Sequence, residues 1–383
     1  NIEKETQNLL LQSNSFDTTW TLDSGMTLTS GQSGYDGSSD AWLLSKSAAS
    51  YREMKQSISL SGVNTFSLYA KASTLSNVVF RFISTSGNHY ARFNLSTGAV
   101  TSTTGDVFET NIEDVGSGWY RCSATANVTA TQVYVYPDVE SATTAGNILI
   151  QDAQLNQGLI AQEVITTTTT ALYGGITDNV PRLDYTDSSC PALLLEPQRT
   201  NALNHSEYIS AGVTWSAAAG MTTQNNSVVS PEGVQNATKL IRPNSTGAAW
   251  IREGNISATI GLNQVVSVFA KSGSNNILNM TYYDQTAGDL FFNYDLSNGT
   301  IYSAPTSSAY YVDAGIEDYG NGWYRCYAVA EAGRIDPQFQ LSVGVNRGGA
   351  ANSYLYVYGA SHEKDVSYKT SYIPTYGTSV TRN

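Results

Sequence analysis

An eleven-residue segment occurs twice in this chain of 383 residues, and it constrains the fold more than any other feature. Ile112-Glu113-Asp114-Val115-Gly116-Ser117-Gly118-Trp119-Tyr120-Arg121-Cys122 returns 204 residues later as Ile316-Glu317-Asp318-Tyr319-Gly320-Asn321-Gly322-Trp323-Tyr324-Arg325-Cys326. Nine of the eleven positions are identical, which chance does not produce. Other landmarks repeat in the same order. Asn8 to Trp20 matches Asn201 to Trp215, Ser67 to Lys71 matches Ser267 to Lys271, and Phe93 to Gly98 matches Tyr294 to Gly299. The offset drifts from 193 to 204 residues, as loop insertions in the second copy would cause, and loops tolerate insertions. The chain is read as two copies of one module, over 8–155 and 201–362, with a connector over 156–200. Residues 1–7 are expected to be the end of a preceding connector, and 363–383 the start of a further connector or a terminal strand.

Each copy is long enough for a domain of about 100–200 residues with its own core. Its local pattern is that of strands. Val133-Tyr134-Val135-Tyr136, Phe339 to Val345 and Tyr354 to Tyr358 are rich in β-formers or alternate apolar with small or polar residues. Turn signals such as Ser96-Thr97-Gly98 and Ser297-Asn298-Gly299 lie between such runs. No long stretch repeats apolar residues at helical spacing. The expected fold class is all-β: two tandem β-sandwich domains of jelly-roll type, joined by an extended β connector. A structureless connector of that length is improbable. Its Thr166 to Thr170 run favours extended segments that pair with a sheet or form a layer of their own. Tyr372 to Ser379 falls where Ile165 to Leu172 falls after the first copy, which suggests a longer array or exchange of terminal strands.

Charge excludes some partners. The net charge is −12 and no Lys/Arg cluster stands out. Nucleic acid and anionic membrane surfaces are repelled by such a field. No run approaches the roughly 18 apolar residues of a membrane span, so no membrane insertion is expected. Neutral partners, sugars or proteins, remain open. Three cysteines, Cys122, Cys190 and Cys326, form neither a zinc pattern nor a disulfide framework. Cys122 and Cys326 read as small buried residues in equivalent strands.

Catalytic constellations are missing. His89, His205 and His362 lie at non-equivalent places, and no nucleophile elbow accompanies them. Glu113-Asp114 and Glu317-Asp318 recur, yet adjacent strand residues point to opposite faces and these precede a Gly-x-Gly turn. Turn formation explains them better than paired-carboxylate glycoside hydrolysis. Trp119 and Trp323 read as core anchors. Arg121 and Arg325 would share their face and need a partner, for which Glu113 and Glu317 are candidates.

The opening Asn8-Leu9-Leu10, with Phe16-Asp17 and Trp20, resembles that of jelly-roll carbohydrate-binding modules of the xylan- and glucan-binding kind. Ile150-Gln151-Asp152-Ala153-Gln154-Leu155 partly matches their last strand. A second resemblance is more particular. Pro181 to Tyr185, Cys190 to Asn201, and the tail Tyr368-Lys369-Thr370-Ser371-Tyr372-Ile373-Pro374-Thr375 are similar to connectors in tail, fibre and head-fibre proteins of bacteriophages. There they flank Gly-Trp-Tyr-Arg modules. The resemblances imply a non-enzymatic virion appendage that adheres to cell-surface glycans, contacts other virion structural proteins and forms a homo-oligomer, with a trimer favoured. The alternative is a tandem carbohydrate-binding region of a secreted polysaccharide-degrading enzyme. No cofactor is expected beyond a candidate structural calcium, which is common in the carbohydrate-binding family. Asp17 and Asp152 would supply its oxygens in the first copy, whereas Gly359 replaces Asp152 in the second.

Sugar binding needs aromatic rings for stacking and planar polar groups for hydroxyls. Candidates are Trp42, Tyr51, Arg52, Tyr90 and Arg92 in the first copy, and Trp250, Arg252, Tyr282 and Tyr283 in the second. The competing reading is that these aromatics pack the sandwich or a subunit interface. Tyr51 and Trp250 occupy roughly matching places, each followed closely by an arginine.

Overall fold

The computed structural model describes residues 6–174, 182–184, 190, 192–194, 196–245, 247–254, 256–284, 286 and 288–382. Two compact units divide the chain, one within 5–177 and one within 178–383. The first opens with β1 (Thr6–Asn8), β2 (Thr21–Leu22), β3 (Met26–Gln32), β4 (Ala41–Lys46), β5 (Met54–Leu60), β6 (Val63–Ala72) and β7 (Asn77–Ser84). It continues with β8 (Gly87–Asn94), β9 (Ala99–Thr104), β10 (Val107–Gly116), β11 (Trp119–Asn127), β12 (Ala130–Tyr136), β13 (Gly146–Gln157) and β14 (Leu172–Gly174).

The second unit begins with a short hairpin, β15 (Arg182–Asp184) and β16 (Ala192–Leu194). Then come β17 (Arg199–Asn201), β18 (Trp215–Ala218), β19 (Thr222–Val228), β20 (Ala237–Ile241), β21 (Trp250–Glu253), β22 (Asn263–Ser272) and β23 (Ile277–Asp284). It ends with β24 (Gly288–Asp295), β25 (Thr300–Ser303), β26 (Tyr311–Gly320), β27 (Trp323–Glu331), β28 (Gln338–Val343), β29 (Tyr354–Glu363) and β30 (Val380–Arg382). Among the described residues the only helical segment is a 3-10 turn, Val345–Arg347.

Each module is an all-antiparallel sandwich of two sheets. The orders β3-β4-β13-β6-β11-β10 and β2-β5-β12-β7-β8-β9 in the first become β19-β20-β29-β22-β27-β26 and β18-β21-β28-β23-β24-β25 in the second. Every strand has its counterpart at the same place. Phe66, Leu68, Ala70, Phe80, Phe82, Phe93, Val133 and Val135 fill the space between the first pair of sheets. Val266, Val268, Ala270, Met280, Phe292, Leu341 and Val343 do so in the second.

Strand period explains which residues go inward. On β7, Val78, Phe80 and Phe82 face the core, so Val79, Arg81 and Ile83 face away from it. The central strands β6 and β22 are buried on both faces. Their outer faces carry a second, small core: Tyr69 and Trp119 with Tyr35 in one module, Phe269, Trp323 and Tyr358 with Tyr372 in the other. The repeated tryptophans anchor this outer layer, while Tyr120 and Tyr324 turn to the main core. Asp114 and Asp318 accept the N–H of Gly116 and Gly320, which closes the turn before each tryptophan.

The segments after β13 and β29 belong to their own modules. Arg121 donates to the carbonyl of Gln162, and Arg325 donates to that of Thr370 at 2.7 Å. The repeated arginines therefore hold these tails rather than Glu113 or Glu317, and Glu317 pairs with Lys369 at 2.8 Å. Ser13 and Thr167 exchange backbone N–H to hydroxyl bonds in both directions, and so do Ser206 and Thr375. Ile165 thus corresponds to Ile373, one residue away from the alignment read from sequence. The two ends of each module then pair, β1 with β14 and β17 with β30. Leu193 of the β16 strand is exposed.

Candidate functional site

The face of the β5-β12-β7-β8-β9 layer that turns away from the main core carries an unusual row. Cross-strand register places Lys55 beside Tyr134, Tyr134 beside Arg81, and Arg81 beside Tyr90. Lys55 Nζ lies 5.3 Å from the Tyr134 ring centre, and Arg81 Cζ lies 4.9 Å from the same ring on its other flank. Arg81 also covers Tyr90 at 5.4 Å, and Arg92 covers Tyr90 at 4.7 Å. Cation and aromatic ring alternate across the sheet, each cation held by ring quadrupoles.

Polar contacts fix this row. Arg81 donates to the Tyr136 hydroxyl at 2.7 Å and to Asn88 Oδ1 through Nε and Nη2. Arg92 grips Glu140, from the loop after β12, through both Nε and Nη2. Burial works to raise the Glu140 carboxyl, but the hydrogen bond and charge of Arg92 overcome it and hold it below its ordinary value. Glu53 is pushed up, by burial first and by Asp23 second, against the Tyr136 hydroxyl and Lys55. Burial also raises the hydroxyls of Tyr90 and Tyr136. The result is a preorganised row in which Tyr134 and Tyr136 are buried beneath the cations and Tyr90 is half-buried.

The matching face of the second module has other chemistry. Asn279, Thr281, Asn293, Gln340 and Ser342 form its floor and are buried. Thr281 donates to Asn279 Oδ1 at 3.0 Å, and Asn279 donates to Asn293 Oδ1 at 3.0 Å. Arg252 donates to Gln338 Oε1 at 2.9 Å. Trp250 and Phe291 form walls, and the guanidinium of Arg347 lies 4.9 Å and 5.0 Å from their rings.

The sequence candidates divide accordingly. Tyr90 and Arg92 sit on the first face. Tyr51 is 55% exposed in the loop before β5, and its backbone N–H donates to Glu140 at 2.6 Å. Arg52 follows it, with Nε buried and lacking a hydrogen-bond partner. Trp42 belongs elsewhere: it packs against the main core beside Phe16 and donates to the Asn14 carbonyl at 2.9 Å. Trp250, Arg252 and Tyr283 lie on the second face. Tyr282 does not, because β23 turns alternate residues inward and its ring is fully buried in the core. Tyr51 and Trp250 are not equivalent either. Gln56 and Glu253 occupy the same register position, so Trp250 stands where Glu53 stands.

Several members of the first face escaped sequence reading: Lys55, Arg81, Tyr134 and Tyr136. The alternation Val133-Tyr134-Val135-Tyr136 was the available signal, since it forces both tyrosines onto one side.

The calcium reading does not fit. Asp17 is exposed, and the carboxylates that act on Asp152 are Asp40 and Asp36. Gln151 Oε1 accepts the Tyr35 N–H, which turns Gln151 Nε2 toward Asp36 Oδ1 and Asp40 Oδ1 at 3.2 and 2.8 Å. Gln151 Nε2 thus bridges these two carboxylates. Burial chiefly raises Asp152 to about 6, and it accepts the Tyr35 hydroxyl at 3.1 Å. Among the described residues no cluster of three or more His, Cys, Asp or Glu is arranged to hold a metal ion.

All three histidines are buried. His89 Nδ1 accepts the Asp106 N–H at 2.8 Å, leaving Nε2 to bond the Ser84 hydroxyl at 2.8 Å. Burial pushes His205 and His362 down to about 4. Cys122 and Cys326 are buried at equivalent core positions, and Cys190 is exposed.

No family model matches the sequence. No curated protein matches it. Among solved structures, the chain is similar to the CBM22-1-CBM22-2 tandem domain of Paenibacillus barcinonensis Xyn10C, with 10% identity and a TM-score of 0.29, covering 95% of this chain and 98% of that one. The tandem CBM51 modules of Sp3GH98, the family 98 glycoside hydrolase from Streptococcus pneumoniae SP3-BS71, match with 12% identity and a TM-score of 0.25, covering 94% and 100%. The enzymatically active domain of bacteriophage CBA120 tailspike protein 4 matches with 18% identity and a TM-score of 0.25, over 39% of this chain and 21% of that one. Scores at this level decide nothing, and the architecture rests on the strand pairing described above.

Proposed function

We propose that this chain is a non-catalytic glycan-binding protein whose first module engages sugar on the face of Lys55, Tyr134, Arg81, Tyr90 and Arg92. The alternating cation–aromatic row carries the reading. Pyranose rings present C–H faces to aromatic rings and hydroxyls to planar polar groups, and this face supplies the half-buried Tyr90 as the ring and the Arg81 and Arg92 guanidinium groups as the planar polar groups, over a buried Tyr134. Its cations are compensated by Glu53, Glu140 and Asp23, which suits a neutral glycan. The setting we favour is a virion appendage that presents several copies, so that weak sites act together by avidity. The connector segments around 181–201 and 368–375, with their resemblance to phage fibre connectors, support that setting.

The second reading is a tandem carbohydrate-binding region of a secreted polysaccharide-degrading enzyme. The same face would serve it. Affinity electrophoresis in neutral polysaccharide gels tests the binding, with Tyr90→Ala as the control variant. Retardation that Tyr90→Ala removes supports the reading, and migration unaffected by every glycan overturns it. A homotrimer that co-purifies with virions favours the appendage, whereas a monomer retarded by xylan or glucan favours the enzyme region.

A further inference from the structure

The loop after β12 and the loop after β28 each reach across the outer face and latch onto the strand opposite, but with reversed polarity. In the first module the loop supplies an acid, Glu140, and the strand supplies a base, Arg92. In the second the loop supplies the base, Arg347, and the strand supplies the acid, Asp289, at 2.7 Å. The aromatic beneath each pair is at one register position, Tyr90 in β8 and Phe291 in β24.

The second latch leaves more bonding capacity unused. Arg347 is 9% exposed, yet its Nε and Nη2 have no hydrogen-bond partner. Trp250 Nε1 and Gln340 Oε1 are also buried and without a partner. Register places Gln340 beside Arg252 and Thr281, between the Trp250 and Phe291 walls that Arg347 spans. Native interiors rarely leave such atoms unsatisfied, because each costs the desolvation of its group. A guanidinium presenting Nε and one Nη edge matches a carboxylate in bidentate geometry. The indole N–H and the glutamine carbonyl suit neighbouring hydroxyls.

Resting on the reading of the chain as a glycan binder, we propose that the second module recognises a carboxylate-bearing sugar, such as a uronate or sialate. The sugar carboxylate takes the Nε/Nη2 edge of Arg347, and its ring lies against Trp250 over the amide floor. The two modules then differ in ligand class: a neutral glycan on the first, an acidic one on the second. Asn293 fixes the loop that carries Arg347, donating to Asn346 Oδ1 at 2.7 Å and accepting the Asn346 N–H at 3.0 Å.

The test uses the full chain in affinity electrophoresis against polygalacturonate, alginate and polysialate, each beside its carboxyl-reduced or methyl-esterified neutral form. Binding to at least one acidic polymer is expected, weakened at least tenfold (about 1.4 kcal/mol) by Arg347→Gln and largely by Arg347→Lys, which keeps charge but loses the fork. Asp289→Asn frees the guanidinium and should tighten that binding. An unchanged second-module transition in calorimetry of Arg347→Gln verifies that the module carrying the substitution is folded. Acidic binding unchanged in Arg347→Gln, or neutral glycans bound while all three acidic polymers are ignored, overturns this inference alone. Failure to bind any glycan overturns the glycan-binding reading itself.

Discussion

The side-chain amide of Asn201 donates to the carbonyl oxygen of Ile373 at 2.8 Å, across 172 residues of sequence. Its second donor goes to Ala360, and its oxygen accepts the N–H groups of Leu203 and His362. Asn8 does the same in the first module, donating to Ala153 and Ile165 and accepting from Leu10 and Leu155. Both amides use the two donor hydrogens and two acceptor sites an amide has. Each ties the first strand, the last strand and the tail of its module to one point.

Truncating that point should leave four buried backbone groups unpaired. Asn201→Ala is expected to destabilise the second module by roughly 2–4 kcal/mol, with little effect on the first. Calorimetry of the full chain should show one transition moving down and the other staying in place. If both transitions move equally, the asparagine is not a local clasp.

Gln56 and Glu253 occupy one register position, and their difference makes stability depend on pH. Gln56 accepts the Leu11 N–H and donates to the Leu11 carbonyl, both at 2.8 Å. Glu253 accepts from the Asn204 backbone, and burial pushes its carboxyl up to about 7. A carboxyl raised on folding holds its proton longer in the folded state than in the unfolded one. Stability is therefore complete below its ordinary range and falls as pH rises toward 7, by on the order of 3 kcal/mol. Glu253→Gln should flatten this dependence and raise the melting temperature of the second module at pH 8 by roughly 5–10 °C. Equal pH slopes for the variant and the parent chain would rule the assignment out.

Gly98 and Gly299 sit in the left-handed region, with φ of 63° and 69°. A Cβ on Gly299 would lie 2.5 Å from the Tyr324 ring, and on Gly98 2.8 Å from Tyr120. Both strain and overlap oppose any side chain there. Gly299→Ala should cost roughly 1–3 kcal/mol in urea unfolding. A change under half a kcal/mol would mean that the turn relaxes freely.

On the first face, removing one ring should weaken sugar binding without unfolding the module. Tyr90 is only partly buried, so Tyr90→Ala is expected to lower affinity roughly three- to tenfold, the scale of one aromatic contact. Arg81→Met keeps the stem but removes the charge that orders Tyr134, Tyr90 and Tyr136, and should lower affinity further. Isothermal titration with the bound oligosaccharide reads both. Unchanged affinity in both variants would move the site elsewhere.

Sequence alone determined the duplication, the all-β class and the structural roles of Trp119, Trp323, Asp114 and Asp318. These follow from identity at fixed offset, two-residue alternation and turn chemistry, all local properties. It also placed Tyr90, Arg92, Trp250 and Arg252 among the candidates. Only tertiary structure decided which candidates share a surface. Tyr282 and Tyr283 are neighbours in the chain, but pleating sends one into the core and the other to the outer face. Trp42 is drawn against Phe16 because β4 pairs with β13, a partner about a hundred residues away. Arg347 reaches Asp289 only because the loop after β28 folds back over β24. Such contacts depend on register between distant strands, and no local pattern encodes them.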